Sequence, residues 1–410
     1  MKYVISPPDG PVQDTIYIPS SKSISNRVLI IKALSGSLAG LQNLSESDDT
    51  RLMQLAMEQK SPVRDVGHAG TAMRFLTAYF ALKPGYVILT GSRRMKERPL
   101  GPLIEALREL GARIECLERE GYPPIGIDGG TLRGGEIEID GGISSQFISA
   151  LMMVAPYLDG GLKLTLSGRI VSEAYLRMTL SLMHQAGVTT AYGGQEIRIP
   201  RSDYRLEAFT VESDWSAASY WFQVAALLPG SRIRLPHLYP RSTQGDSALT
   251  EIFGQLGVSF RFDREGLELS SDSGRDAGPL QIDFLNTPDL VQTLVPTCCA
   301  MGIPFRFSGT STLRVKETDR IAALQAEMEK LGFILEADPG GEYLAWDGTR
   351  HTPARDPVIQ TYHDHRMAMA FAPFCIAEGK ITIDQPGVVT KSYPGYWDDL
   401  RKAGFTIGEH

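Results

Sequence analysis

One phrase recurs six times along these 410 residues. A polar cluster gives way to an apolar, helix-like run, then to glycine, then to a short strand. The polar openings are Ser21-Lys22-Ser23-Ile24-Ser25-Asn26-Arg27, Gly67-His68-Ala69-Gly70-Thr71-Ala72-Met73-Arg74, Gly142-Ile143-Ser144-Ser145-Gln146, Glu212-Ser213-Asp214-Trp215-Ser216, Asn286-Thr287-Pro288-Asp289 and Tyr362-His363-Asp364-His365-Arg366. The first turn of a helix carries unpaired N–H groups and a partial positive charge, and both favour anions. A chain that repeats such ends and adds Lys and Arg to them is suited to phosphates or carboxylates.

The apolar runs predict helices over 27–34, 71–82, 146–158, 216–228, 290–301 and 366–377. Gly36, Gly85, Gly160, Gly230, Gly302 and Gly379 stop them. Strands follow at 86–90, 162–166, 305–307 and 380–383, and residues 1–6 read as another. A second helix follows in each repeat. Five of the six end in a small-residue stop: Leu110-Gly111-Ala112, Ala186-Gly187-Val188, Leu256-Gly257-Val258, Leu331-Gly332-Phe333 and Ala403-Gly404-Phe405. The first repeat lacks that stop. Its second helix, 50–59, runs almost straight into Gly67, which predicts a missing strand or hairpin. A spacing of roughly 50 to 75 residues is too long for a solenoid unit and suits a βαβαββ-type unit. Six such units exceed one hydrophobic core, so two domains are expected.

The bulk properties are those of a globular protein, with 42% hydrophobic and 22% charged residues. A net charge of -7 argues against general nucleic-acid binding but permits a local cationic pocket. No signal peptide and no membrane-length apolar run is evident, so a cytoplasmic protein without membrane association is expected. The four cysteines form no CxxC pair and read as reduced thiols, three of them in apolar runs.

Each opening also has a plain reading. Ser21 with Lys22 and Arg27 could be a helix cap with solvated cations, although a cation in the cap opposes the helix dipole. Gly67-His68-Ala69-Gly70-Thr71 matches neither the P-loop nor the GxGxxG spacing. The run from Ser92 to Pro99 could be a solvated basic loop, but it precedes a helix and is rich in the residue best shaped to fork onto carboxylates and phosphates. Glu317 and Arg320, three apart, could be an ordinary surface ion pair. His363, Asp364 and His365 are consecutive and cannot converge on one metal from a helix.

Taken together, Ser-Lys-Ser-x-Ser-Asn-Arg, Ala-Gly-Thr-Ala-Met-Arg, Arg-Met-Lys-Glu-Arg-Pro, Ser-Ser-Gln-Phe, Arg-Val-Lys-Glu-Thr-Asp-Arg and Asp-His-Arg-Met-Ala-Met occur in register along nearly the whole chain. The set resembles the 5-enolpyruvylshikimate-3-phosphate synthase family of enolpyruvyltransferases. The resemblance implies an α/β fold: a two-domain inside-out α/β barrel with three βαβαββ units per domain and the active site in the cleft. The N-terminal domain would span 21–213, and the other 1–20 plus 214–410. It implies transfer of the enolpyruvyl group of phosphoenolpyruvate to the 5-hydroxyl of shikimate 3-phosphate, with no cofactor or metal, by a monomer.

It also implies residue roles. Shikimate 3-phosphate would be held by Lys22, Ser23, Arg27, Ser144, Ser145, Gln146, Ser172, Tyr175, Asp289 and Lys316. Phosphoenolpyruvate would be held by Lys22, Gly70, Thr71, Arg98, Gln146, Arg320, Arg366 and Lys391. Asp289 would be the base for the 5-hydroxyl. Glu317, assisted by Lys22, would move the proton at the methylene carbon. Cations beside Glu317 should lower its pKa and work against an acid role, so which carboxylate moves which proton stays open.

The chain departs from the family pattern at Ser20, usually Gly, at His68, usually Asn, and at Phe75, usually Pro. The last two flank the turn expected at phosphoenolpyruvate and imply an altered response to glyphosate. A related enolpyruvyltransferase acting on UDP-N-acetylglucosamine is the nearest alternative. That family usually has Lys-Asn in place of Lys22-Ser23 and a Cys in the loop 92–99, where this chain has none. A non-catalytic anion-binding relative is the other reading, and the joint presence of Lys22, Asp289 and Glu317 speaks against it.

Overall fold

The computed structural model describes residues 1–38, 40–271 and 278–410. The chain forms two compact units, one of Met1–Pro19 with Glu212–His410 and one of Ser20–Val211. Each has its own hydrophobic core.

Both units use one building rule. A strand leads into a helix and then into a second strand parallel to the first. An outer helix and two further antiparallel strands complete a four-stranded sheet. In the 20–211 unit, Val63–Asp65 pairs in parallel with Gly85–Thr90, which pairs with Ile125–Gly129, and that with Arg113–Cys116. Arg133–Asp140, Asp159–Ser167, Glu196–Ile199 and Ala191–Gly193 repeat the order. The other unit repeats it three times, starting from Gln13–Thr15, Leu280–Asp283 and Val358–Ile359. Its last sheet is finished by both chain ends: Lys2–Ser6 pairs with Ile381–Asp384 and with Thr406–Glu409.

The first repeat is the short one. Its sheet has two strands, Leu41–Gln42 and Phe209–Thr210, paired in parallel. The antiparallel pair is absent, because Asp48–Glu58 is followed directly by Val63–Asp65, the first strand of the next sheet. This is the deficit expected from the missing glycine stop.

The first helix of each repeat lies inside. In Gly70–Leu82 every residue except Tyr79 and Leu82 is buried, and all seven residues of His365–Phe371 are buried. A helix apolar on all sides needs such a place. The outer helices bury one stripe only. Gly101–Glu109 buries Leu103, Ile104, Ala106 and Leu107. The arrangement is therefore inside-out: helices within and open sheets around them, with no sheet closed on itself among the described residues. No helix among those residues is long and apolar enough to cross a membrane.

Several ends differ from expectation. The run expected over 146–158 is helical only over Ser145–Val154, and a tight 3-10 turn follows over Ala155–Tyr157. Pro156 lacks the N–H that continued helix would use. The run expected over 366–377 breaks at Phe371 into a 3-10 turn containing Pro373. Cys298, Cys299 and Cys375 are buried, whereas Cys116 is partly exposed at a strand end, and all four are free thiols.

Candidate active site

Polar side chains cap several of the inner helices at their N-termini. Ser21, Ser144, Asp214 and Asp364 cap such helices, each side chain accepting a hydrogen bond from a backbone N–H two or three residues on. The first turns are thereby held in place and present Lys22, Gln146 and Arg366.

In the 20–211 unit, Lys22 opens the helix Lys22–Ser35 and forms an ion pair with Asp49 at 3.5 Å. Arg27, one turn on, is 2% exposed. Its Nε donates to Thr179 Oγ1 at 2.7 Å, and its other nitrogens to the Ser23 carbonyl at 2.9 Å and Ser149 Oγ at 3.3 Å. Its guanidinium lies 5.2 Å from the ring of Phe75 and 5.9 Å from that of Tyr175. Burial lowers it to about 10, with Tyr175 opposing, so it stays a cation at neutral pH.

Gln146 donates to Thr71 Oγ1 at 3.1 Å, joining two of the openings. Arg98 lies against Gly70, where a Cβ would sit 2.5 Å from Arg98 Nη1. Only glycine permits that approach. Arg74 donates to the Gly70 carbonyl and to the Pro99 carbonyl, tying this turn to the basic loop. Ser172, which precedes the helix Glu173–Gln185, has φ of 55°. Ser144 caps the helix that Ser145 begins.

In the other unit the charges form one network. Arg320 donates from Nε to Asp364 at 2.7 Å, from Nη1 to Asp289 at 2.8 Å and from Nη2 to Glu317 at 2.9 Å. Lys391 donates to the second oxygen of Glu317 at 2.7 Å, and Arg366 to the second oxygen of Asp289 at 3.0 Å. Lys316 lies 3.7 Å from Asp289. Arg320 is 2% exposed, while the Asp289 and Glu317 side chains keep 16% and 18%. The arginine is thus the buried hub, and the two carboxylates retain an accessible edge.

Four cations face three carboxylates, an excess of one positive charge. Burial would raise the Asp289 carboxyl, but Arg366, Lys316 and Arg320 outweigh it and hold it well below the usual range. Burial pushes the Lys316 ammonium down, with Asp289 and Glu317 opposing. Burial would also lower Arg320, yet Asp364, Glu317 and Asp289 raise it. Asp289 is therefore ionised, though the same cations weaken it as a base, and the excess charge suits an anionic ligand.

Residue pattern alone missed several participants. Asp49, the partner of Lys22, carries no local signal. Asp364 was legible as a motif residue but not as the link between Arg320 and the cap of Arg366, whose N–H it accepts at 2.9 Å. Asp246 is buried, accepts from the Ser216 hydroxyl and is pushed up to about 7 by burial and then by Asp289, against Arg366 and Ser216. Tyr362 and His363, directly before Asp364, have φ of 53° and 56°. Such a conformation costs about 1–2 kcal/mol per non-glycine residue.

The profile of EPSP synthase (3-phosphoshikimate 1-carboxyvinyltransferase) matches residues 54–400. The chain is 51% identical over 408 residues to the 3-phosphoshikimate 1-carboxyvinyltransferase of Bacteroides fragilis, covering 99% of each. It is 37% identical over 421 residues to the protein of that name from Methanospirillum hungatei, covering 96% of each. The structure of EPSP synthase from Acinetobacter baumannii superposes with a TM-score of 0.78 at 20% identity over the whole of both chains, which shows the fold. The chain belongs to the EPSP synthase family.

Proposed function

We propose that this chain transfers the enolpyruvyl group of phosphoenolpyruvate to the 5-hydroxyl of shikimate 3-phosphate and releases phosphate. The observation that carries this reading is the Arg320 node, which binds Asp289 and Glu317 through neighbouring nitrogens of one guanidinium. Two held carboxylates amid excess cations are what the reaction requires.

Shikimate 3-phosphate is assigned to Lys22, Ser23, Arg27, Ser144, Ser145, Gln146, Ser172, Tyr175, Asp289 and Lys316. Phosphoenolpyruvate is assigned to Lys22, Gly70, Thr71, Arg98, Gln146, Arg320, Arg366 and Lys391. Fixed cations neutralise carboxylate and phosphate charges without reorganising during the reaction.

The enol carbon of phosphoenolpyruvate becomes electrophilic when its methylene is protonated, and Glu317 supplies that proton. Asp289 takes the proton of the 5-hydroxyl as its oxygen bonds to that carbon. The resulting tetrahedral intermediate keeps the phosphate. Glu317, with Lys22 assisting, then removes a methyl proton, the carbon–oxygen bond to phosphate breaks, and the enol ether forms. Lys391 on one Glu317 oxygen and Arg320 on the other favour the carboxylate, so they favour this second step and oppose the first. Bound substrate anions offset that opposition.

A phosphate-release assay tests the reading. Phosphoenolpyruvate with shikimate 3-phosphate should release phosphate, and phosphoenolpyruvate with UDP-N-acetylglucosamine should not. No release with shikimate 3-phosphate would defeat it.

A further inference from the structure

Glu327 lies two turns after Arg320 on the helix Arg320–Lys330 and is fully buried. Residues seven apart share a helix face. From that face Arg320 holds Asp364 and Glu327 holds the residues just before it. Tyr362 Oη donates to Glu327 Oε1 at 2.6 Å. The Gln360 N–H donates to Oε2 at 3.0 Å, and Lys330 Nζ to the same oxygen at 2.6 Å. Lys330 also donates to the Val358 carbonyl at 3.1 Å. One helix face thus grips residues 358–364 at several points. Between the grips lie the two left-handed residues, Tyr362 and His363. Next come the cap Asp364 and then Arg366.

A strained turn persists only where its surroundings over-determine it. The carboxylate of Glu327 supplies that constraint, since it receives three hydrogen bonds away from water. Those bonds come from Tyr362, Gln360 and Lys330, and not from the cations that hold Asp289 and Glu317.

We propose that Glu327 is a positioning residue. It locks the 360–363 turn against the Arg320 helix and so sets where Arg366 begins its helix and points its guanidinium. The consequence for turnover rests on the assignment of Arg320 and Arg366 to phosphoenolpyruvate.

The test uses the full chain carrying Glu327→Gln, and separately Tyr362→Phe, which removes one bond and carries the test if the first variant fails to fold. Two readouts are taken. In amide hydrogen exchange, peptides covering 360–368 should exchange faster in the variants, while those covering 291–301 should not change. In steady-state kinetics, KM for phosphoenolpyruvate should rise about 3- to 10-fold, as expected for one hydrogen bond. KM for shikimate 3-phosphate should rise less, because Arg366 reaches that substrate only through Asp289. Unchanged exchange over 360–368 would overturn the clamp. Faster exchange with an unchanged KM for phosphoenolpyruvate would reduce Glu327 to a structural staple and overturn the positioning role. Arg366→Ala is the control: if it leaves KM for phosphoenolpyruvate unchanged, the substrate assignment fails, and the clamp is judged on exchange alone.

Discussion

Asp289 and Glu317 share one cation, since Nη1 of Arg320 lies 2.8 Å from the first and Nη2 2.9 Å from the second. A change in charge at either carboxylate is felt by the other through that guanidinium. Their protonation is coupled, and single substitutions report on the pair as well as on the residue removed.

Glu317→Gln keeps the shape of the side chain and removes its acid–base function. Turnover should fall about 10²- to 10⁴-fold, the usual scale of a lost general acid or base, with substrate binding largely intact. Isothermal titration with shikimate 3-phosphate, beside the phosphate-release rate, checks both parts. A turnover close to that of the parent would remove Glu317 from the proton path.

Asp289→Asn leaves Lys316, Arg320 and Arg366 without a carboxylate they now share. The ligand-free protein should lose about 1–3 kcal/mol, the penalty for polar groups left unmatched. Inorganic phosphate should restore part of that loss, because an anion can stand in for the missing charge. Thermal unfolding with and without phosphate measures this. A melting point unmoved by phosphate, for parent and variant alike, would show that these cations do not receive anions.

Asp246 gives a pH signature. Its carboxyl is pushed up to about 7 in the folded chain by burial and by Asp289, against Arg366 and the Ser216 hydroxyl. Unfolded, an aspartate titrates near about 4. Between those values the folded chain holds a proton that the unfolded chain has released. The stability due to that proton therefore falls as pH rises through the window, by up to about 1.4 kcal/mol per pH unit. Asp246→Asn should flatten this slope in urea unfolding measured across the window. Asp289 acts with the opposite sign: its depressed carboxyl stabilises above about pH 4 and the contribution is lost as pH falls. Parallel profiles for parent and Asp246→Asn would show that Asp246 is ionised throughout.

Phe75 offers its ring face to Arg27 at 5.2 Å. Phe75→Leu keeps an apolar core residue and removes that face. With a cation–π contribution of about 0.5–1 kcal/mol, KM for shikimate 3-phosphate should rise about 2- to 5-fold. For the unaltered chain, the glyphosate inhibition constant, competitive with phosphoenolpyruvate, should fall outside the range of sensitive enzymes. A value inside that range would separate Phe75 from the inhibitor response.

Much of this arrangement was legible because it is local. A polar cap, an apolar run and a glycine sit within about 15 residues and report one helix. The absent stop after residues 50–59 reported a sheet reduced to two strands for the same reason. What escaped notice is non-local or short. Phe209–Thr210 pairs with Leu41–Gln42, and a two-residue strand has no periodicity to read. Lys22 meets Asp49 across two helices. Glu327, in Ala326-Glu327-Met328-Glu329-Lys330, looks like an ordinary solvated helix charge until Tyr362, 35 residues on, covers it. The helix ends near Pro156 and Pro373 were readable in principle, but the apolar pattern runs on through both.

The way the sheets are completed has a consequence for synthesis on the ribosome. Residues 20–211 contain every strand of their own unit, the last being Phe209–Thr210. That unit can close while the chain is still being made, as N-terminal domains commonly do. The strand Lys2–Ser6 is made well before that unit, yet its partners are Ile381–Asp384 and Thr406–Glu409. It must wait, unpaired, until those distant partners have been translated. Truncation between Asp384 and Thr406 therefore exposes one edge of that strand, and truncation before Ile381 exposes both.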